Sequence, residues 1–82
     1  MVGADGGSLS LFSGATIRQT IGSDGNFGFN GTSYGGGVLV MFIANAKTVP
    51  NTNPSGGGVL YVESGALKYR GSSGTVTTLG AA

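Results

Sequence analysis

The sequence predicts a small all-β domain of short antiparallel strands and hairpins. Three observations predict it. Glycine fills 18 of 82 positions, and each glycine in a helix interior costs about 1 kcal/mol relative to alanine, which excludes long helices. Several segments alternate apolar and polar residues with the period of two that a half-covered strand requires. Between those segments stand Ser-Gly and Asp-Gly pairs, which suit tight turns. Collagen is excluded, because only two prolines are present and no Gly-X-Y period runs through the chain.

The elements follow in order. Residues 8–12 form a first short strand, and Ser13-Gly14 a turn. Residues 15–21 alternate, with Ala15, Ile17, Gln19 and Ile21 on one side and Thr16, Arg18 and Thr20 on the other. The stretch 22–26 holds Asp24-Gly25, whose tolerance of positive φ marks a hairpin turn. Phe27-Gly28-Phe29 is a brief strand with both rings on one face, and Gly28 leaves room for close backbone approach on the other. A Gly-rich connection spans 30–37. The apolar run 38–43 lacks alternation and is expected as a strand buried on both faces.

A long surface loop is expected over 44–55, which carries two prolines and three asparagines. The strands 59–63 and 66–70 flank a Ser64-Gly65 turn. Gly71-Ser72-Ser73-Gly74 turns the chain again into a last strand over 75–79, followed by a small tail. Gly-Gly-Gly-Val-Leu occurs at 35–39 and again at 56–60, but two copies do not define a solenoid. The division expected is a stalk-like segment over 1–34 and a β module over 35–82, together making one compact unit.

Composition excludes several classes of function. Four basic and three acidic residues leave a net charge of +1, too little for nucleic-acid binding through counterion release. Without Cys or His, the chain has no thiol nucleophile and lacks the commonest general base and metal ligand. The carboxylates are Asp5, Asp24 and Glu63. A turn and a strand end explain the last two better than a paired glycosidase site does. The triple glycines lack the Lys-Ser/Thr of a phosphate-binding loop. No cofactor and no enzymatic activity are therefore expected. Residues 1–5 lack the basic and apolar stretches of a signal peptide, and the longest apolar run is far short of the roughly 20 residues of a spanning helix. Synthesis in the cytoplasm and no membrane insertion are expected.

Size raises a further demand. Natural scaffolds near 80 residues commonly add disulfides, metals or partner subunits. Disulfides are impossible here, so a homo-oligomer is expected. The candidates for its core and subunit contacts are Val38, Val40, Phe42, Val59, Leu60, Tyr61, Leu67 and Tyr69. The candidates for contact with another partner are Tyr34, Lys47, Asn51 and Asn53.

One resemblance narrows the expectation. The words Phe42-Ile43-Ala44-Asn45-Ala46, the segment 53–63 (NPSGGGVLYVE) and the segment 65–78 (GALKYRGSSGTVTT) resemble a module near the C-terminus of tailed-phage structural proteins, especially fibre-like ones. Upstream, residues 17–29 (IRQTIGSDGNFGF) are similar to units that build trimeric fibre stalks. The resemblance implies a virion structural protein without enzymatic activity, folded as an intertwined homotrimer of β-prism or sandwich-like form. Because such fibres are usually longer, it favours a trimeric decoration, cement or knob protein on the capsid surface. A short tail-fibre or spike tip that attaches to a host receptor is the alternative. The implied partners are other copies of the chain, a major capsid or tail protein, and a host surface glycan.

Overall fold

The computed structural model describes residues 7–82. Its described residues are all-β and form two sheets. The chain divides into two compact units, Met1–Ala44 and Asn45–Ala82. The expected boundary after residue 34 therefore shifts. Residues 41–43 pair with the strand at 27–29, which ties them to the first unit.

The first unit holds β1 (Leu9–Ser13), β2 (Thr16–Ile21), β3 (Phe27–Phe29) and β4 (Met41–Ile43), in the sheet order β1-β2-β3-β4. The first two pairings are antiparallel, and β3 pairs with β4 in parallel. The turn into β2 is Gly14-Ala15, one residue later than expected, with φ of 60° and 64°. Both values are positive, as the two-residue turns that match the twist of a hairpin require. Ala15 has a Cβ in this left-handed region, a conformation that costs about 1–2 kcal/mol outside glycine and asparagine. Ala15→Asn is accordingly expected to raise stability by about 0.5–1 kcal/mol, seen as a higher thermal midpoint.

The second unit holds β5 (Val59–Glu63), β6 (Ala66–Arg70) and β7 (Val76–Gly80), ordered β5-β6-β7 and antiparallel throughout. The bounds of β5 and β6 coincide with the sequence expectation, because Ser64-Gly65 supplies the same pair of positive φ values, 49° and 83°. Asn45 bridges in parallel to Val62, the Ala46 amide donates to the Val62 carbonyl at 2.7 Å, and Asn45 Oδ1 accepts from the Gly65 amide at 2.8 Å. The first two contacts cover the outer edge of β5 at Val62, and the third holds the β5–β6 turn. The edge of β7 has no such cover among the described residues.

One expected element differs most. The run 38–43 is a strand only over Met41–Ile43. Val38, Leu39 and Val40 lie outside the strand and are 63, 78 and 40% exposed. They are not core, and the expectation of burial on both faces is corrected. The physical reason is local: Leu39 has φ +60°, which no strand accommodates.

Candidate interaction surface

The register decides which side chains share a face. In the first unit two rows of directly opposed residues cross the sheet: Leu9, Ile21, Phe27 and Met41, then Leu11, Gln19, Phe29 and Ile43. Within each strand these positions are two apart, so all eight point the same way. Seven are apolar and none is charged. Yet Leu11 and Ile21 are each 40% exposed, Phe29 54% and Met41 63%.

The row on the opposite face is Ser10, Thr20, Gly28 and Phe42. The connection at 30–37 covers part of it. The carbonyl of Gly31 and the hydroxyl of Tyr34 crowd the position a Cβ on Gly28 would take. Tyr34 is therefore half-buried rather than an exposed partner contact, and its hydroxyl is buried without a hydrogen-bond partner among the described residues. On this side Arg18 Nη1 donates to Asn30 Oδ1 at 3.0 Å, and an open cleft of about 330 Å³ runs along Thr16, Ile17, Thr20 and Asn30 to Thr32.

The second unit repeats the arrangement. Leu60, Tyr69 and Thr77 are directly opposed, as are Val62, Leu67 and Gly80. This face carries no charge, and Leu60 is 53% and Tyr69 41% exposed. The Tyr69 ring lies over Gly58, where a Cβ would collide with it. The other face holds Val59, Tyr61, Glu63, Ala66, Lys68, Arg70, Val76 and Thr78. Here Lys68 Nζ meets Glu63 Oε1 at 2.9 Å, and that hydrogen bond and charge raise the lysine above its ordinary pKa. Arg70 donates to the Pro50 carbonyl at 3.3 Å and to Asn53 Oδ1 at 2.8 Å, which anchors the 47–54 loop. Tyr61 on this face is the one buried large hydrophobic among the described residues.

Each unit thus keeps an aromatic, Phe42 or Tyr61, on its loop side among mostly small, polar or charged residues, and leaves several large apolar side chains of its uncharged face half open. A sheet with one wet side normally does the reverse. Full burial of one Leu, Ile, Phe or Met is worth about 1.5–3 kcal/mol, so half-exposing several of them forgoes a sum comparable to the roughly 5–15 kcal/mol that holds a domain folded.

The sequence candidates separate accordingly. Leu60, Leu67 and Tyr69 share the open face of the second unit, and Tyr61 and Val59 the loop-covered one. Phe42 is half-buried with its ring against Gly31. Lys47 and Asn51 are exposed, whereas Asn53 is engaged by Arg70. Among the described residues no group of three His, Cys, Asp or Glu comes together. Asp24 holds a turn, and Asp5 lies outside the described residues. Residues 9, 11, 21, 29 and 41 were not among the candidates. Pairing their rows required knowing that β3 joins β4, a parallel contact between segments eleven residues apart with no local signal.

No protein-family model matches the chain, and no curated protein matches it. A solved structure of a hyaluronidase from Streptomyces koganeiensis is similar over 98% of this chain, at 30% identity and a TM-score of 0.47. The match spans 48% of that chain, about half its length. It overturns the expectation of no enzymatic activity, which is withdrawn, since the similar structure belongs to an enzyme. A TM-score of 0.47 carries no assignment of activity or substrate to this chain.

Proposed function

We propose that the chain is a subunit of a homotrimer on a virion surface, where it clamps neighbouring capsid subunits as a decoration or cement protein. The observation that carries the assembly is the uncharged apolar face left open in each unit. A second copy is the partner that covers it without new chemistry, since each copy brings the same apolar surface. The placement on a virion rests on the resemblance of residues 36–82 to phage structural modules. Three linked contacts per assembly would multiply a weak encounter affinity for the shell.

Sedimentation equilibrium tests the assembly: a trimer at micromolar concentration is the expected result, and a folded monomer overturns it. Leu60→Asp places a charge on the open face of the second unit. Since Leu60 is exposed in the chain, the variant keeps its strands but loses assembly, because its carboxylate would be buried unpaired between copies. Soluble trimers of Leu60→Asp would remove that face from the contact. Copy number tests the placement: tens to hundreds of copies per particle are expected, and a handful would place the protein at a tail tip.

A further inference from the structure

The pairing of β1 with β2 is broken at one point. Leu11 lies opposite Gln19 and Phe12 opposite Ile17, so Arg18 has no opposite residue on β1. An extra residue of this kind is a β-bulge, and bulges are over-represented where a side chain must be re-aimed beside a site. Here the bulge brings Ile17 to the side of Thr20, because Phe12 stands two residues from Ser10, the partner of Thr20. Ile17 and Thr20 both line the open cleft of about 330 Å³, with Thr16, Asn30, Gly31 and Thr32 around them. That volume is at the small end of ligand pockets, which run from about 300 to 1,000 Å³.

The bulge residue also fixes the other wall. The Asn30 amide donates to the Arg18 carbonyl at 2.7 Å, and Arg18 Nη1 donates to Asn30 Oδ1 at 3.0 Å. Asn30 is held there at φ +57°, in the left-handed region that asparagine tolerates. Its side-chain oxygen is thereby engaged, while its Nδ2 makes no hydrogen bond among the described residues. Arg18 has five N–H donors and meets no carboxylate among the described residues, where the ion pair is that of Lys68 with Glu63. The cleft thus combines a cation at its rim without a counter-charge, an unused carboxamide donor, three threonine hydroxyls and one aliphatic side chain. Among the described residues no carboxylate lines it.

We propose that this cleft binds a small hydroxylated carboxylate, of which a sugar acid is the simplest form. Arg18 takes the carboxylate through the parallel N–H pair of its planar fork. Asn30 Nδ2 and the threonine hydroxyls meet the ligand's hydroxyls, and Ile17 packs against its carbon frame. One guanidinium balances one negative charge, which favours a carboxylate over a phosphomonoester carrying about −1.5 to −2. The site lies within the first unit and does not depend on the assembly proposed above.

Titration of the isotope-labelled full chain, followed by its backbone amide resonances, tests the site. Galacturonate is expected to shift the amides of residues 16–20 and 30–32 saturably at about millimolar concentration, and galactose, with a hydroxymethyl group in place of the carboxylate, to bind about tenfold more weakly. Arg18→Gln should abolish this preference while keeping the dispersion of the other resonances. Trigalacturonate binding more tightly than the monomer would identify a residue within an acidic polysaccharide as the ligand, and equal or weaker binding the free acid. Equal affinity for galactose and galacturonate would overturn the proposal, as would shifts that do not saturate or that fall outside the cleft. A folded Arg18→Gln chain that keeps the preference would overturn it too. If that variant loses its dispersion, the comparison of the two sugars on the parent chain decides alone.

Discussion

Gly28→Ala is expected to destroy the first unit. Gly28 is buried in the middle of β3, opposite Thr20 and Phe42. A Cβ there would run into the carbonyl oxygen of Gly31 and stand 2.7 Å from the Tyr34 hydroxyl. The tyrosine could swing aside, but the Gly31 oxygen is main chain, and moving it means lifting the whole 30–37 connection off the sheet. Overpacking of this kind costs about 1–3 kcal/mol when side chains can yield and more when only backbone can. In a unit with so little buried apolar surface, a loss of about 3 kcal/mol leaves no folded population. The expected outcome is insoluble protein, or soluble protein without dispersed resonances for residues 9–43. Gly57→Ala is the control: nothing stands within 4 Å of its added Cβ, and it should match the parent protein within about 0.5 kcal/mol. A Gly28→Ala chain as stable as the control would mean that the 30–37 connection does not pack on β3.

How far the sequence carried this structure depends on the range of the signal. Ser64-Gly65 sits between strands whose side chains alternate, and the turn alone sets their register; β5 and β6 fall where expected. Phe27–Phe29 is equally legible, because Asp24-Gly25 ends the turn before it. The edges of β1 and β2 move by one residue, since Gly14-Ala15 rather than Ser13-Gly14 takes the positive φ values; β7 also starts one residue later, at Val76, after the turn that ends on Gly74 with φ +90°. Residues 38–40 went astray for a different reason. Hydrophobic runs are ordinarily buried, and nothing in Val-Leu-Val announces that an asparagine twelve residues upstream of Val38 will pin it outside the sheet. Tyr34 misled in the same way: a tyrosine among glycines looks exposed until its hydroxyl is found against Gly28. The open faces were not read from the sequence, which led from chain size only to the expectation of a homo-oligomer, because which of two faces stays bare is settled by where the 30–37 and 47–54 loops fold back.

Asn26→Ala is expected to release residues 37–40 and to lower stability by about 3 kcal/mol, as roughly 1 kcal/mol for each neutral hydrogen bond and more for one to a carboxylate. The side chain makes three bonds: to Asp24 Oδ2 at 3.2 Å, to the Gly37 carbonyl and from the Val40 amide, both at 2.9 Å. No alanine contact replaces them. At a fixed protein concentration, which matters for any chain that associates, the midpoint of thermal unfolding should fall by about 12–24 °C for a domain of this length. Asn51→Ala, at an exposed loop position, should leave it unchanged. Asn26→Asp separates geometry from charge. Its carboxylate keeps an acceptor for the Val40 amide but loses both donors and faces Asp24. Burial at this site and the neighbouring carboxylate raise the pKa of the introduced carboxyl above its unfolded value. Such a carboxylate favours the folded state most when protonated, so the variant's deficit should shrink as pH falls through the raised folded value and be complete at neutral pH. A pH-independent deficit would mean that the introduced carboxyl leaves this site in the variant. An Asn26→Ala chain with an unchanged midpoint would show that Leu39 is held in place by something other than this clamp.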